Sequence, residues 1–89
     1  MTAQAHLVGG WTAYQKLTPK DKEVFQEALA GFVGVNYEPE EVSSQVVNGT
    51  NYRYLSKATL PGSPAGWQAI VEIYVPINGK PHITQIHRI

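Results

Sequence analysis

Between residues 67 and 75 the chain alternates. Trp67, Ala69, Val71, Ile73 and Val75 fall on one face of an extended segment, and Gln68, Ile70, Glu72 and Tyr74 on the other. This period of two predicts an antiparallel strand, one face buried and the other partly solvated, closed by Pro76. Further β-prone runs at about 40–47, 50–60 and 81–89 predict three more strands. Between residues 18 and 34 the period changes to that of a helix. Val24, Phe25, Ala28, Leu29, Phe32 and Val33 share one apolar face. Thr18 is placed to cap this helix, Pro19 is pre-set for its first turn, and Asp21 stands three residues after the cap. Gly34 reads as its stop, with Gly31 an earlier candidate.

Asn48-Gly49 and Asn78-Gly79 predict tight hairpin turns, because both residue types tolerate positive φ. Residues 60–66, rich in proline and glycine, predict a looser connection. In an antiparallel meander successive turns alternate ends, so the two Asn-Gly tips share one end of the sheet. One helix followed by four strands predicts an α+β fold, the helix packed on a wrapped antiparallel sheet of four to five strands. Trp11-Thr12-Ala13-Tyr14 is the candidate for the fifth strand, and Leu7-Val8-Gly9-Gly10 forms a short apolar lead-in. A length of 89 residues suits a single domain over 1–89.

Composition narrows the function. Hydrophobic residues make up 43% and charged residues 16%, a balance that folds. Seven basic residues offset seven acidic ones without segregation, which argues against nucleic acid or an anionic membrane as partner. The apolar runs fall short of a membrane span. With no cysteine, disulfides, zinc-thiolate sites and thiol nucleophiles are excluded. Residues 1–10 lack the pattern of a signal peptide, although a removed one would leave no trace.

Candidate chemistry is sparse, and the residues read as a non-enzyme without cofactor. His82 and His87 lie five apart on one predicted strand, so they are expected to face opposite sides and not to share a metal; His6 stands far from both in sequence. Glu38, Glu40 and Glu41 around Pro39 read as a polar loop, with acid–base work the alternative. Ser43 and Ser44 have no neighbouring base in sequence. Asn48-Gly49-Thr50 fits a glycosylation acceptor, a tripeptide short enough to arise by chance. The unusual feature is Val46-Val47 beside a turn that is normally polar. These valines alternate, so at most one points into the core. Either they end a core strand, or they form an exposed apolar edge for a partner.

Gln45-Val46-Val47-Asn48-Gly49 resembles the Gln-x-Val-x-Gly motif of the cystatins, inhibitors of papain-like cysteine proteases. Thr50-Asn51-Tyr52 continues the resemblance, and Leu7-Val8-Gly9-Gly10 is similar to the family's N-terminal segment with its glycine. The order of glycine, helix, motif and second hairpin also matches, and the lack of cysteine resembles the disulfide-free stefin-like branch. The resemblance implies a cystatin-like fold and a reversible, competitive inhibitor. Leu7, Val8 and Gly9, the first tip (Gln45, Val46, Val47, Asn48, Gly49) and the second tip (Pro76, Ile77, Asn78) would form a wedge that enters the protease cleft. Ile77 would stand where the family often has tryptophan. The resemblance further implies a papain-like protease as partner and a monomer, with a domain-swapped dimer as the alternative. Its location would be cytoplasmic if stefin-like, or secreted if a leader was removed. A cystatin-fold protein-binding module without inhibitory activity is the rival reading.

Overall fold

The computed structural model describes residues 10–89. Five strands form one antiparallel sheet in the order β1 (Gln15–Lys16), β2 (Asn36–Val46), β3 (Thr50–Thr59), β4 (Gly66–Val75) and β5 (His82–Arg88). Among the described residues one helix, α1 (Pro19–Ala28), packs on one face. The predicted α+β architecture is the observed one.

The helix begins as the sequence predicts. The Asp21 N–H donates to Thr18 Oγ1 at 3.2 Å, and the Thr18 N–H donates to Asp21 Oδ2 at 2.9 Å, with Pro19 in the first turn. This reciprocal pair satisfies two donors that the helix itself leaves unpaired. The helix stops earlier than the apolar periodicity suggests. Leu29 N–H still bonds back to the Phe25 carbonyl, but Ala30 reaches only Glu27, and Gly31 then takes φ +84°. Glycine pays no steric penalty there, so the helix ends before Gly34. Phe32 and Val33 therefore leave the helical face, and Val33 is 84% exposed.

Residues 36–40, expected to be partly loop, belong to β2. β1 covers only Glu41 and Val42, so this stretch is a free edge, where proline is tolerated. Pro39 pairs with Ser56 and Glu41 with Leu55, leaving Glu40 as an extra residue. That bulge changes which residues face the helix. Before it Tyr37 does so, and after it Val42; Glu38, Glu40 and Glu41 are all exposed. A second irregularity corrects the histidines. Glu72 pairs with Gln85 and Ile73 with Ile83, so Thr84 is extra and the alternation of β5 is reset. His82 then lies opposite Tyr74 and His87 opposite Ile70, on the same face and not on opposite ones. They remain about 13 Å apart, four residues along β4 at about 3.3 Å each.

Val24 and Phe25 from the helix meet Val42, Tyr54, Val71 and Ile73 from the sheet. Tyr54 is 0% exposed. Its ring packs edge-on against Phe25 with centroids 4.9 Å apart, and its hydroxyl donates to the Asp21 carbonyl at 2.8 Å. Burial foremost, then the Asp21 carboxylate and Tyr52, raise the hydroxyl's pKa well above the ordinary tyrosine range, so it remains a donor. Ile70, read as part of the solvated face, is buried as well.

These contacts set an expected contrast in urea denaturation. Tyr54→Phe keeps the ring, loses one buried hydrogen bond and should lower stability by about 1 kcal/mol. Val33→Ser, on the face that periodicity assigns to the core, should change it by less than about 0.5 kcal/mol. A larger loss for Val33→Ser than for Tyr54→Phe would contradict the early helix end.

Candidate functional site: the paired hairpin tips

The meander brings the β2–β3 and β4–β5 connections to one end of the sheet, because Val46 pairs with Thr50 and Thr50 with Val75. Residues 47–49 close the first hairpin. Val47 N–H donates to the Gly49 carbonyl at 3.1 Å, and Asn48 and Gly49 take φ +46° and +114°. Gly49 is required for a second reason. A Cβ there would lie 2.6 Å from the Val75 carbonyl and 2.7 Å from the Tyr74 hydroxyl. The Tyr74 hydroxyl in turn donates to the Asn48 carbonyl, so the first tip is fastened to the last residues of β4. His82 meets the Tyr74 ring edge-on, with centroids 5.8 Å apart. In the second tip Gly79 N–H donates to the Pro76 carbonyl at 3.4 Å.

Both tips present apolar side chains. Val46 is 51% exposed, Val47 41% and Ile77 70%. Neither valine is a core residue, although Val46 opens on the helix side. There the tips, Val24, Tyr52, Val75 and Lys20 line an open groove of about 530 Å³. Burial and the nearby Asp21 carboxylate both raise the pKa of the Tyr52 hydroxyl, one of the groove's lining residues. Asn48 and Asn78 are exposed and Pro76 is half-buried. Gln45 is set back: its Oε1 accepts from Asn51 Nδ2 at 3.0 Å across the hairpin.

Leu7, Val8 and Gly9 lie outside the described residues. The segment that follows them is fixed to β2 by contacts that no local pattern of residues announces. Trp11 pairs with Gln45 and Thr12 N–H donates to the Ser44 carbonyl at 2.9 Å. Ser44 N–H donates to Thr12 Oγ1 at 3.0 Å, and the Ser43 hydroxyl donates to the Thr12 carbonyl at 2.5 Å. The Arg53 guanidinium covers the Trp11 ring, 3.8 Å from its centre. Since residues 11–16 run antiparallel to 41–45, Gly10 leaves the sheet on the side of the first tip. The fifth strand, expected at residues 11–14, forms instead at Gln15–Lys16, because in 11–14 only Trp11 makes a bridge to β2 while Thr12 bonds to Ser43 and Ser44 through its side chain and backbone. The Asn48-Gly49 turn also sets the register that puts Arg53 opposite Ser43, but Trp11 and Tyr74 carried no local signal.

Among the described residues no group of three or more histidine, aspartate or glutamate side chains is arranged to hold a metal ion. His87 Nδ1 lies 3.7 Å from Glu72 Oε2, away from the tips. The arrangement at the tips is one of shape and apolar surface.

A helix held against one face of a five-stranded antiparallel meander, with two tight hairpins projecting from one end, defines the class. No family model matches the chain, and no curated protein matches it by sequence. Among solved structures, a secreted type 1 cystatin from Fasciola hepatica is 30% identical, with a TM-score of 0.60, covering 92% of this chain and 97% of that one. The chain belongs to the cystatin family, and its lack of cysteine agrees with the disulfide-free type 1 branch.

Gly49→Ala is expected to lower stability by about 1–3 kcal/mol, the cost of a side chain in a glycine-only conformation. Amide exchange should rise at Val47 and Thr50 more than in the Tyr54 region. Unchanged stability and unchanged exchange would remove the close approach to Val75 as a constraint.

Proposed function

We propose that the protein is a reversible, competitive inhibitor of papain-like cysteine proteases, filling the substrate cleft with the N-terminal segment and the two hairpin tips. The observation that carries this reading is the pairing of exposed aliphatic side chains, Val46 and Val47 on one tip and Ile77 on the other, at one end of a cystatin fold. Solvent-facing valine and isoleucine at a rigid edge lose water when a hydrophobic cleft receives them. The backbone of the first tip is already ordered by Gly49 and Tyr74, so little conformational entropy is lost on binding. No covalent bond is needed, because occupation of the cleft excludes substrate. Leu7, Val8 and Gly9 would extend the wedge from the point where Gly10 leaves the sheet.

A binding module without inhibitory activity is the second reading. It is favoured by Ile77, smaller than the tryptophan often found there in the family, and by a separate open cavity of about 510 Å³. That cavity is lined by Lys22, Phe25, Gln26 and Leu29 from the helix and its end and by Tyr37, Glu38 and Pro39 from β2, a place where another partner would dock.

Inhibition of papain by the unmutated protein separates the two readings, and Val47→Asp tests the place of Val47 in the wedge. Val47 is 41% exposed, so the melting temperature should hardly move. A charge carried into an apolar cleft should weaken papain inhibition by at least about ten-fold, about 1.4 kcal/mol. A large fall in melting temperature with inhibition preserved per folded molecule would assign Val47 to the core and not to the wedge. Deletion of residues 1–8 should likewise weaken inhibition and leave the urea midpoint unchanged. Full inhibition after deletion would remove that segment from the wedge.

A further inference from the structure

Asn48 and Gly49 carry a reactivity that the turn itself does not use. The side-chain amide of asparagine is electrophilic at Cγ, and the backbone nitrogen of the next residue can close a five-membered ring on it. A side chain on that next residue hinders ring closure, and glycine has none. Of the four asparagines, Asn36 and Asn51 precede tyrosines, while Asn48 and Asn78 precede glycines. The two Asn-Gly pairs differ in the state of that nitrogen. Gly79 N–H donates to the Pro76 carbonyl, an engagement that hinders loss of its proton. Gly49 N–H has no acceptor among the described residues, and Asn48 stands exposed at the tip with φ +46°.

We propose that Asn48 is a self-modifying position, converted by deamidation into aspartate and isoaspartate, and that this conversion limits the working life of the first tip. A solvent base removes the Gly49 amide proton, and the nitrogen forms a bond to Asn48 Cγ. The bond from Cγ to the side-chain nitrogen breaks, and ammonia leaves after taking a proton from water. Water then opens the cyclic imide at one of its two carbonyls. Opening at the main-chain carbonyl gives isoaspartate, and opening at Cγ gives aspartate. Because closure proceeds through the deprotonated nitrogen, conversion quickens as pH rises.

The surroundings of the tip determine what each product does. Isoaspartate passes the main chain through one extra carbon where Gly49 lies flush with the Val75 carbonyl, and it turns the carbonyl held by Tyr74 into a free carboxylate. Aspartate restores the main chain and leaves a negative charge next to Val47. Both products place charge on an edge whose exposed neighbours are Val46 and Val47. The consequence for binding rests on the inhibitor reading; the chemistry does not.

The test holds purified protein at neutral and at mildly alkaline pH for days. Samples are followed by intact mass and peptide mapping, with papain inhibition measured on each. The expected result is a gain of one mass unit in the Asn48 peptide, faster at the higher pH and ahead of Asn78, with Asn36 and Asn51 unconverted. The converted form should inhibit at least about ten-fold more weakly, about 1.4 kcal/mol. Asn48→Gln, whose longer side chain would need a six-membered ring, should keep the starting mass of its residue-48 peptide and its own starting inhibition over the time in which Asn48 converts. Absence of conversion at Asn48, or conversion at Asn78 as fast or faster, overturns the assignment. Complete conversion with unchanged inhibition overturns the limit on working life. Fresh protein that fails to inhibit papain counts against the inhibitor reading alone, and the peptide map still decides the modification.

Discussion

Tyr54 fixes the helix to the sheet, and the remaining geometry follows from that attachment. Its ring meets Phe25 edge-on and its hydroxyl reaches the Asp21 carbonyl, so one side chain sets both the depth and the position of the helix along the strands. A helix of ten residues is too short to be stable by itself. It depends on Val24 and Phe25 being buried against Val42, Val71 and Ile73. With that contact made, the first two turns of the helix lie beside the tips: Lys20 and Val24 line the same groove as Val46 and Ile77. Core and candidate site therefore share a wall.

The second constraint is between the hairpins. Two tight turns at one end of a meander are neighbours by topology, but neighbours need not be rigid with respect to each other. Here the Tyr74 hydroxyl holds the Asn48 carbonyl, and Gly49 permits van der Waals closeness to the Val75 carbonyl. The motif glycine thus serves a turn and a contact with the adjacent strand together. On the other flank, Trp11 beneath Arg53 and Thr12 bonded to Ser43 and Ser44 align the start of the described chain with the first tip. Each fastening acts on a backbone segment next to the apolar tips, which leaves Val47 and Ile77 free to meet a partner.

Much of this was legible in the residues, because it rests on local patterns. The Thr18–Asp21 capping box, the two Asn-Gly turns and the alternation of 67–75 each have a short-range physical cause. The shared end of the two tips then followed from topology alone. What sequence could not supply came from bulges and tertiary contacts. One extra residue at Glu40, and another at Thr84, reset strand alternation, which kept Pro39 inside β2 and moved His82 and His87 to one face. Helical periodicity continued to Val33 because Phe32 and Val33 are apolar, yet Gly31 ended the hydrogen bonding first. Tyr74 read as a mixed-face strand residue, and only the folded register shows its hydroxyl reaching the first tip. At the candidate site the motif valines were visible at once, while the groups that hold their backbone were not.

On the inhibitor reading, the protease binds at the end of the sheet that carries the two tips. Amide hydrogen exchange of the protein with and without excess papain tests this most directly, because it reports every described segment in one measurement. The account requires protection to grow at residues 46–50 and 76–80. The loop at 60–65 and the segment around Phe32 and Val33, at the opposite end of the molecule, should exchange as in the free protein. Protection confined to 60–65 or to 30–40, with both tips unchanged, would contradict it.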